Sequence, residues 1–208
     1  LRHGGPLLIA PALEHSEENR EILLRHGFRP RQQYSHRSAR LNLECEPDEL
    51  RKSLASTWRN QLKKAEKSGL VLQVSNHSAG LAWMLDRHVD NMHVKKFRGP
   101  SKRLVTALYD VCPQDFLVLR ADYENQPLAG MLLFKYGCQV EHYVGWFGEQ
   151  GRKYNCGNFL YWHAVLEAKK AGYKWFDVGG YEADEKYGHF KRGMRGTEYQ
   201  FIGEWLSL

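Results

Sequence analysis

The run Lys174-Trp175-Phe176-Asp177-Val178-Gly179-Gly180 reads as a strand of four or five residues that ends in an acid and two glycines. Such an ending delivers a carboxylate to a sheet edge, where the backbone can turn sharply or approach a ligand closely. After an acidic loop comes Gly188-His189-Phe190-Lys191-Arg192-Gly193-Met194-Arg195-Gly196, a cation flanked by glycines. Together the two runs describe a cleft at the end of a sheet, with Asp177 and Lys191 as its opposite charges.

Upstream, Phe159, Trp162, His163, Leu166 and Lys170 repeat at three and four, the period of a helix, and Gly172 supplies the stop. The order is therefore helix, strand, glycines, loop, Phe-Lys. Four segments in that order, Leu160-Tyr161-Trp162-His163-Ala164, Ala168-Lys169-Lys170-Ala171-Gly172-Tyr173, Phe176-Asp177-Val178-Gly179-Gly180 and Phe190-Lys191-Arg192-Gly193, resemble the C-terminal signature of the Fem family. These are the aminoacyltransferases that build peptidoglycan interpeptide bridges, together with related N-acyltransferases of the same GNAT-like fold. The resemblance runs from about Leu41 to the end of the chain. It implies an α/β (α+β) fold, a GNAT-like mixed central sheet flanked by helices. It also implies that the Lys of the Phe-Lys pair, here Phe190 and Lys191, belongs to the catalytic centre.

Farther out, the elements come in an order that agrees with that fold. Leu7 to Ala10 reads as a short buried strand, Glu14 to Arg25 as a helix stopped by Gly27, and Gln33 to Leu43 as a second strand. That is too little for a domain, and the chain opens at Leu1 without a methionine. Residues 1–45 are accordingly expected to be the tail of an upstream unit, since Fem-like proteins carry two such units in tandem. Pro47 opens a long helix ending at Gly69, with Asp48 and Glu49 complementing its dipole and Leu50, Leu54, Trp58, Leu62 and Ala65 as its apolar stripe. Residues 46–69 are expected to connect the tail to an acyltransferase domain over 70–208. Within that domain the pattern predicts a strand (Leu70 to Val74), helices (Gly80 to Val94 and Ser101 to Val111) and three strands (Phe116 to Ala121, Leu128 to Tyr136, Gln139 to Phe147). The helix and strand around Phe159 and Phe176 follow, then a short helix and a final strand.

Composition narrows the function classes. The 208 residues are 42% hydrophobic and 26% charged, enough for one substantial core. Cys45, Cys112, Cys138 and Cys156 form no CxxC pair, so neither a zinc site nor a disulfide framework is indicated. His88 and His93, five apart on a helix, sit about 140° around its axis and do not make a metal pair. No apolar run reaches the ~18 to 20 residues of a membrane span, and no charged-then-apolar leader opens the sequence. The expected location is the cytoplasm. A net charge of +6 favours anionic partners. The cations cluster at Arg51, Lys52, Arg59, Lys63, Lys64 and Lys67 on the predicted helix, and at Lys95, Lys96, Arg98, Lys102 and Arg103 around a glycine-proline turn. Either cluster is a solvated face or a surface for tRNA or a pyrophosphate, with Arg59 and Lys63 as the named candidates.

Amide formation from an activated ester or thioester needs a neutral amine, a carbonyl held against it and a donor for the developing oxyanion, but no metal. Lys191 can be that donor or can screen a phosphate. Asp177 either orients the amine and accepts its proton or caps the following turn, and Gly179 and Gly180 serve both. Glu182, Asp184 and Glu185 form a solvated loop or steer an ammonium. Tyr143, Gly145 and Trp146 are candidates for the cleft wall, and His163 for a base. Acetyl-CoA enzymes of the resembled fold cradle pyrophosphate on an Arg/Gln-x-x-Gly-x-Gly/Ala turn. The corresponding Arg152-Lys153-Tyr154-Asn155-Cys156-Gly157 has Asn155 in place of the first glycine, a residue that tolerates positive φ. The departure leaves CoA binding open but shifts the expectation toward an aminoacyl or other non-CoA acyl donor; aminoacyl-tRNA and acyl-CoA both stay as alternatives, with no tightly bound cofactor.

The expected function is transfer of an aminoacyl or acyl group onto an amine, the resemblance pointing to a peptidoglycan precursor. The alternatives are an acetyl-CoA-dependent N-acetyltransferase and a non-catalytic module that binds RNA or an anionic precursor.

Overall fold

The computed structural model describes residues 5–32, 36–181 and 186–207. The acidic loop with Glu182, Asp184 and Glu185, and the first residues of the strand expected from Gln33, lie outside them. In chain order the elements are β1 (Leu7–Ile9), α1 (Glu17–Arg25), β2 (Arg29–Gln32), β3 (Arg37–Asn42), α2 (Pro47–Ser53), α3 (Ser56–Glu66), β4 (Val71–Ser75), α4 (Ser78–Lys95) and α5 (Lys102–Val111). They continue with β5 (Phe116–Tyr123), β6 (Gln126–Tyr136), β7 (Gln139–Phe147), α6 (Glu149–Lys153), α7 (Cys156–Lys170), β8 (Trp175–Asp177), α8 (Lys186–Arg192), β9 (Thr197–Gln200) and β10 (Glu204–Ser207).

Among the described residues the strands form two sheets, a main one in the order β4-β5-β6-β7-β8-β3-β9 and a small one in the order β1-β10-β2. Every pair in the main sheet is antiparallel except β7–β8. The β5–β6 hairpin turns at Glu124 and Asn125, whose φ values of 48° and 62° are those of a tight two-residue turn. Ala129 to Leu133 are fully buried because β6 is covered on both faces. Met131 and Leu133 join α2, α3 and α7 in one core, and Leu132 joins Leu81, Met84 and Leu85 of α4 and Val105 of α5 in a second. A third cluster, Leu23, Ile202 and Trp205, holds the small sheet against α1. Leu7 and Leu8 of β1, expected to be buried, are exposed.

The expected mixed sheet flanked by helices is present, with three differences in detail. The helix expected from Pro47 to Gly69 is two helices, broken where Leu54 and Ala55 adopt extended ψ values of 149° and 144°. The break is held by tertiary structure: Ala55 N donates to Gly193 O at 2.9 Å, and the Arg59 guanidinium donates to Lys52 O and Leu54 O. The final strand is two strands, β9 in the main sheet and β10 in the small one, joined through Gly203 at φ 86°. Lastly, β3, from the stretch expected to be an upstream tail, is hydrogen-bonded between β8 and β9 in the main sheet. It pairs Arg40 with Asp177 and so supports the strand that ends at the cleft.

Candidate functional site

The site is made by a mismatch between two parallel strands. Pairing of β7 with β8 stops at Glu141↔Asp177, while β7 runs on to Phe147. On its other side β7 carries a bulge, since Leu132 pairs with Val144 and Leu133 with His142, leaving Tyr143 as the extra residue. A bulge bends and twists its strand, so β7 leaves β8 behind. The opening is a cleft of about 750 Å³. Its walls include Tyr143, Gly145 and Phe147 of β7, Glu141 and His142 at the split, Gly180 and Lys191 beyond β8, and Arg152 of α6.

Lys191 is buried to 1% exposure, yet it borders this cleft. Its Nζ donates to Gly179 O at 2.9 Å and Gly180 O at 2.8 Å, so the two glycines after β8 turn their carbonyls onto the cation. Burial lowers its pKa to about 7, against the opposing pull of Asp177 and Glu141. Gly179 has φ +76°, and a Cβ there would lie 2.3 Å from His142 O, so no other residue fits between the strand ends.

Asp177, fully buried, does not border the cleft. One carboxylate oxygen accepts from the Ser38 hydroxyl and from Gly179 N at 2.9 Å; the other accepts from Tyr199 Oη at 2.6 Å and has Arg40 Nε at 3.7 Å. The bond to Gly179 N is the turn-capping geometry that Asp supplies two residues ahead of itself. Burial, and then the bond to Asp177, raise the Tyr199 pKa and hold its proton in place.

His142 has no counterpart among the sequence candidates. It is buried, and burial first, then the Lys191 charge, push its pKa well below the ordinary imidazole value, so it is neutral. Its Nδ1 is 3.0 Å from Tyr161 Oη, which donates to Val178 O at 3.2 Å. With the Tyr161 proton on Val178 O, which only accepts, Nδ1–H donates to Tyr161. Nε2 is then the bare nitrogen. It has no hydrogen-bond partner among the described residues, and a Cβ at Gly145 would lie 2.7 Å from it. Glu141 beside it accepts from Tyr136 Oη at 2.8 Å, and burial raises its carboxyl pKa. His36 and His88 also border the cleft, both with pKa lowered by burial; His88 Nε2 is 3.1 Å from Pro100 O. What could have drawn attention to this group in the sequence is Glu141-His142-Tyr143, three polar or aromatic side chains in a row on a strand.

Of the residues singled out from sequence, Lys191, Gly180, Tyr143, Gly145, Arg152, Lys95 and Arg98 border the cleft; Gly179 and Trp146 do not, the Trp146 indole packing edge-on against Trp83 at 6.0 Å. Phe190 packs between Trp58 and Tyr161, at ring centroid distances of 5.8 and 5.2 Å, and supports the cleft floor from behind. Asn155 takes φ 54° as the N-cap of α7. From the turn Arg152 to Gly157, only Arg152 reaches the cleft wall. Arg59 and Lys63 lie outside it, Arg59 on the carbonyls that end α2 and Lys63 exposed on α3. His163 stacks edge-on against Phe159 at 4.4 Å and does not border the cleft. Among the described residues there is no group of three or more His, Cys, Asp and Glu placed to hold a metal ion.

The family model of the acetyltransferase (GNAT) domain matches residues 52–192, well over half of the chain. No curated protein matches by sequence. Among solved structures, FemX superposes with a TM-score of 0.80 at 14% identity, over 98% of this chain and 72% of FemX. The C-terminal domain of a putative lysylphosphatidylglycerol synthetase from Agrobacterium fabrum gives 0.65 at 13%, over 98% and 67%. A tandem GNAT protein from the clavulanic acid biosynthesis pathway gives 0.53 at 9%, over 97% and 62%. At such identities these likenesses are of fold. With the match over residues 52–192, the chain belongs to the acetyltransferase (GNAT) domain family and is an acyltransferase.

Proposed function

We propose that this acyltransferase is Fem-like, moving an aminoacyl or acyl group from an activated donor onto an amine of a peptidoglycan precursor. The observation that carries the reading is Lys191: a buried cation, tied by two carbonyls to the end of β8, at the floor of the cleft. A preorganised charge in a site of low dielectric stabilises the oxyanion that forms as the amine attacks the donor carbonyl. His142 Nε2, bare and neutral, takes the proton that the attacking amine must lose. The C–N bond forms, the C–O bond of an aminoacyl ester or the C–S bond of a thioester breaks, and the proton returns from His142 to the leaving oxygen or sulfur. Asp177 acts as a positioning residue, fixing the Gly179 turn on which Lys191 is seated. Tyr143, Gly145 and Gly180 form the wall against which the substrate lies.

The donor we favour is aminoacyl-tRNA, because only Arg152 of the turn where a CoA pyrophosphate would be cradled faces the cleft. Both donors are cytoplasmic, and we place the reaction there. The test is mass spectrometry of a peptidoglycan precursor incubated with the protein and either charged tRNA or acyl-CoA. A mass gain only with charged tRNA, lost in Lys191→Ala, supports the proposal and identifies the residue transferred. A gain only with acyl-CoA makes the protein an N-acetyltransferase of the same fold, and wild-type turnover in Lys191→Ala sinks the role given to that residue.

A further inference from the structure

The corner between α4 and α5 is unlike the rest of the surface. From His93 to Leu104 the sequence is His-Val-Lys-Lys-Phe-Arg-Gly-Pro-Ser-Lys-Arg-Leu, with Lys95, Lys96, Arg98, Lys102 and Arg103 and no acid. Every residue of the run except Pro100 is exposed. Three of them are large and apolar: Val94 at 80% exposure, Leu104 at 50% and Phe97 at 40%. The neighbouring acids are Asp86 and Asp90 on α4, and Asp86 is paired with Lys102. Lys96 ends α4 in a left-handed conformation, φ 54°, which turns the chain out at this corner.

We propose that this corner docks on an anionic lipid bilayer, with the five cations against the headgroups and Val94, Phe97 and Leu104 in the interface. Cations next to exposed aliphatic and aromatic side chains are the composition of an interfacial lipid contact, where charge attracts the segment and apolar surface anchors it. RNA would account for the cations and for Phe97, a face on which a base could stack, but not for Val94 and Leu104, which offer a phosphate nothing and a base no flat face. No helix among the described residues is long and apolar enough to cross a membrane. Lys95, Phe97 and Arg98 also border the cleft, which places its mouth beside the docking surface.

The experiment is sedimentation of the protein with vesicles of phosphatidylcholine, alone or with one third phosphatidylglycerol, at low and high salt. Binding is expected only to the anionic vesicles and weakens with salt. Lys96→Glu with Arg103→Glu weakens it by at least about tenfold, at about fivefold per surface charge removed. Val94→Ser with Leu104→Ser weakens it by about tenfold while keeping the thermal unfolding midpoint. No binding to anionic vesicles, or binding untouched by the serine pair, overturns the proposal, as does tighter binding to tRNA that the serine pair leaves unchanged. Because these readings need no turnover, they stand or fall apart from the acyl-transfer assay. With activity in hand, the serine pair should raise KM for a vesicle-borne amine and leave a soluble amine unaffected.

Discussion

The two sides of β8 hold two buried charges that differ in every other respect. Behind the strand, Asp177 spends its carboxylate on Ser38, Gly179, Tyr199 and Arg40, and no solvent or ligand reaches it. In front, Lys191 and His142 are also buried but border a cleft, and His142 Nε2 has no hydrogen-bond partner among the described residues. Burial with complete pairing builds a scaffold; burial with one face turned to a cavity builds a reactive centre, because the pKa shift is then available to a substrate. Gly179 is the partition: its N–H serves Asp177 and its carbonyl serves Lys191.

The largest effect should come from breaking the scaffold side. Asp177→Ala leaves the Tyr199 and Ser38 hydroxyls, the Gly179 N–H and the Arg40 guanidinium without their common acceptor. Removing one partner of a buried ionic network costs about 3–5 kcal/mol, so urea unfolding should show a loss of that size. Activity should fall only as far as the folded fraction and the Gly179 turn are lost. A stable but inactive Asp177→Ala protein would erase the distinction between the two sides and make Asp177 a reacting group.

On the cleft side the signs reverse. Lys191→Met should lower turnover by about 10²–10³-fold, the scale for loss of one preorganised oxyanion donor. It should leave stability at pH 6 unchanged or raised, since an apolar chain of similar length replaces a desolvated cation. The folded pKa of about 7 lies below the ordinary 10.5, so between those values the unfolded chain holds a proton that the folded one has released. Wild-type stability therefore rises relative to Lys191→Met as pH goes from about 7 to about 10.5, by on the order of a few kcal/mol. Turnover with a weakly basic amine, neutral throughout, should fall over the lower part of that window as Lys191 loses its charge. His142→Gln keeps the shape and a polar contact to Tyr161 but removes the base, and should cost about 10²-fold in kcat with little change in stability.

How far the site was legible follows from the range of the interactions that make it. The strand ending in Asp177-Val178-Gly179-Gly180 and the Phe190-Lys191 pair were readable because each is a local pattern of apolar run, acid and glycine. The split of β7 from β8 was not, because it depends on a bulge at Tyr143, and a one-residue slip in register leaves no mark in composition. His142 was hidden for the same reason: on a strand it is one polar residue among several, and only the approach of Tyr161, nineteen residues later, engages its Nδ1 and leaves Nε2 without a partner among the described residues. The place of β3 beside β8 rests on pairs such as Arg40↔Asp177, more than a hundred residues apart, which no local period encodes. The break between α2 and α3 was masked by a continuous apolar stripe, since Leu50 before it, Leu54 in it and Trp58 after it are all buried.

That break gives the smallest and most discriminating prediction. Arg59 was a candidate for substrate phosphate because it sits in a basic helix, yet its guanidinium is engaged with the carbonyls of Lys52 and Leu54 at the end of α2. Donors that satisfy the last carbonyls of a helix contribute about 1 kcal/mol, so Arg59→Ala should lower stability by that amount. Arg152, in the cleft wall beside Lys95, is placed to meet an anionic donor, and the two cations raise the local potential enough that Arg152 adds to burial in lowering the Lys95 pKa. Arg152→Ala should therefore raise the donor KM and flatten its salt dependence, while Arg59→Ala changes neither. If Arg59→Ala instead raised the donor KM at unchanged stability, the donor would extend across α3, and the scaffold would reach less far from β8 than its hydrogen bonds suggest.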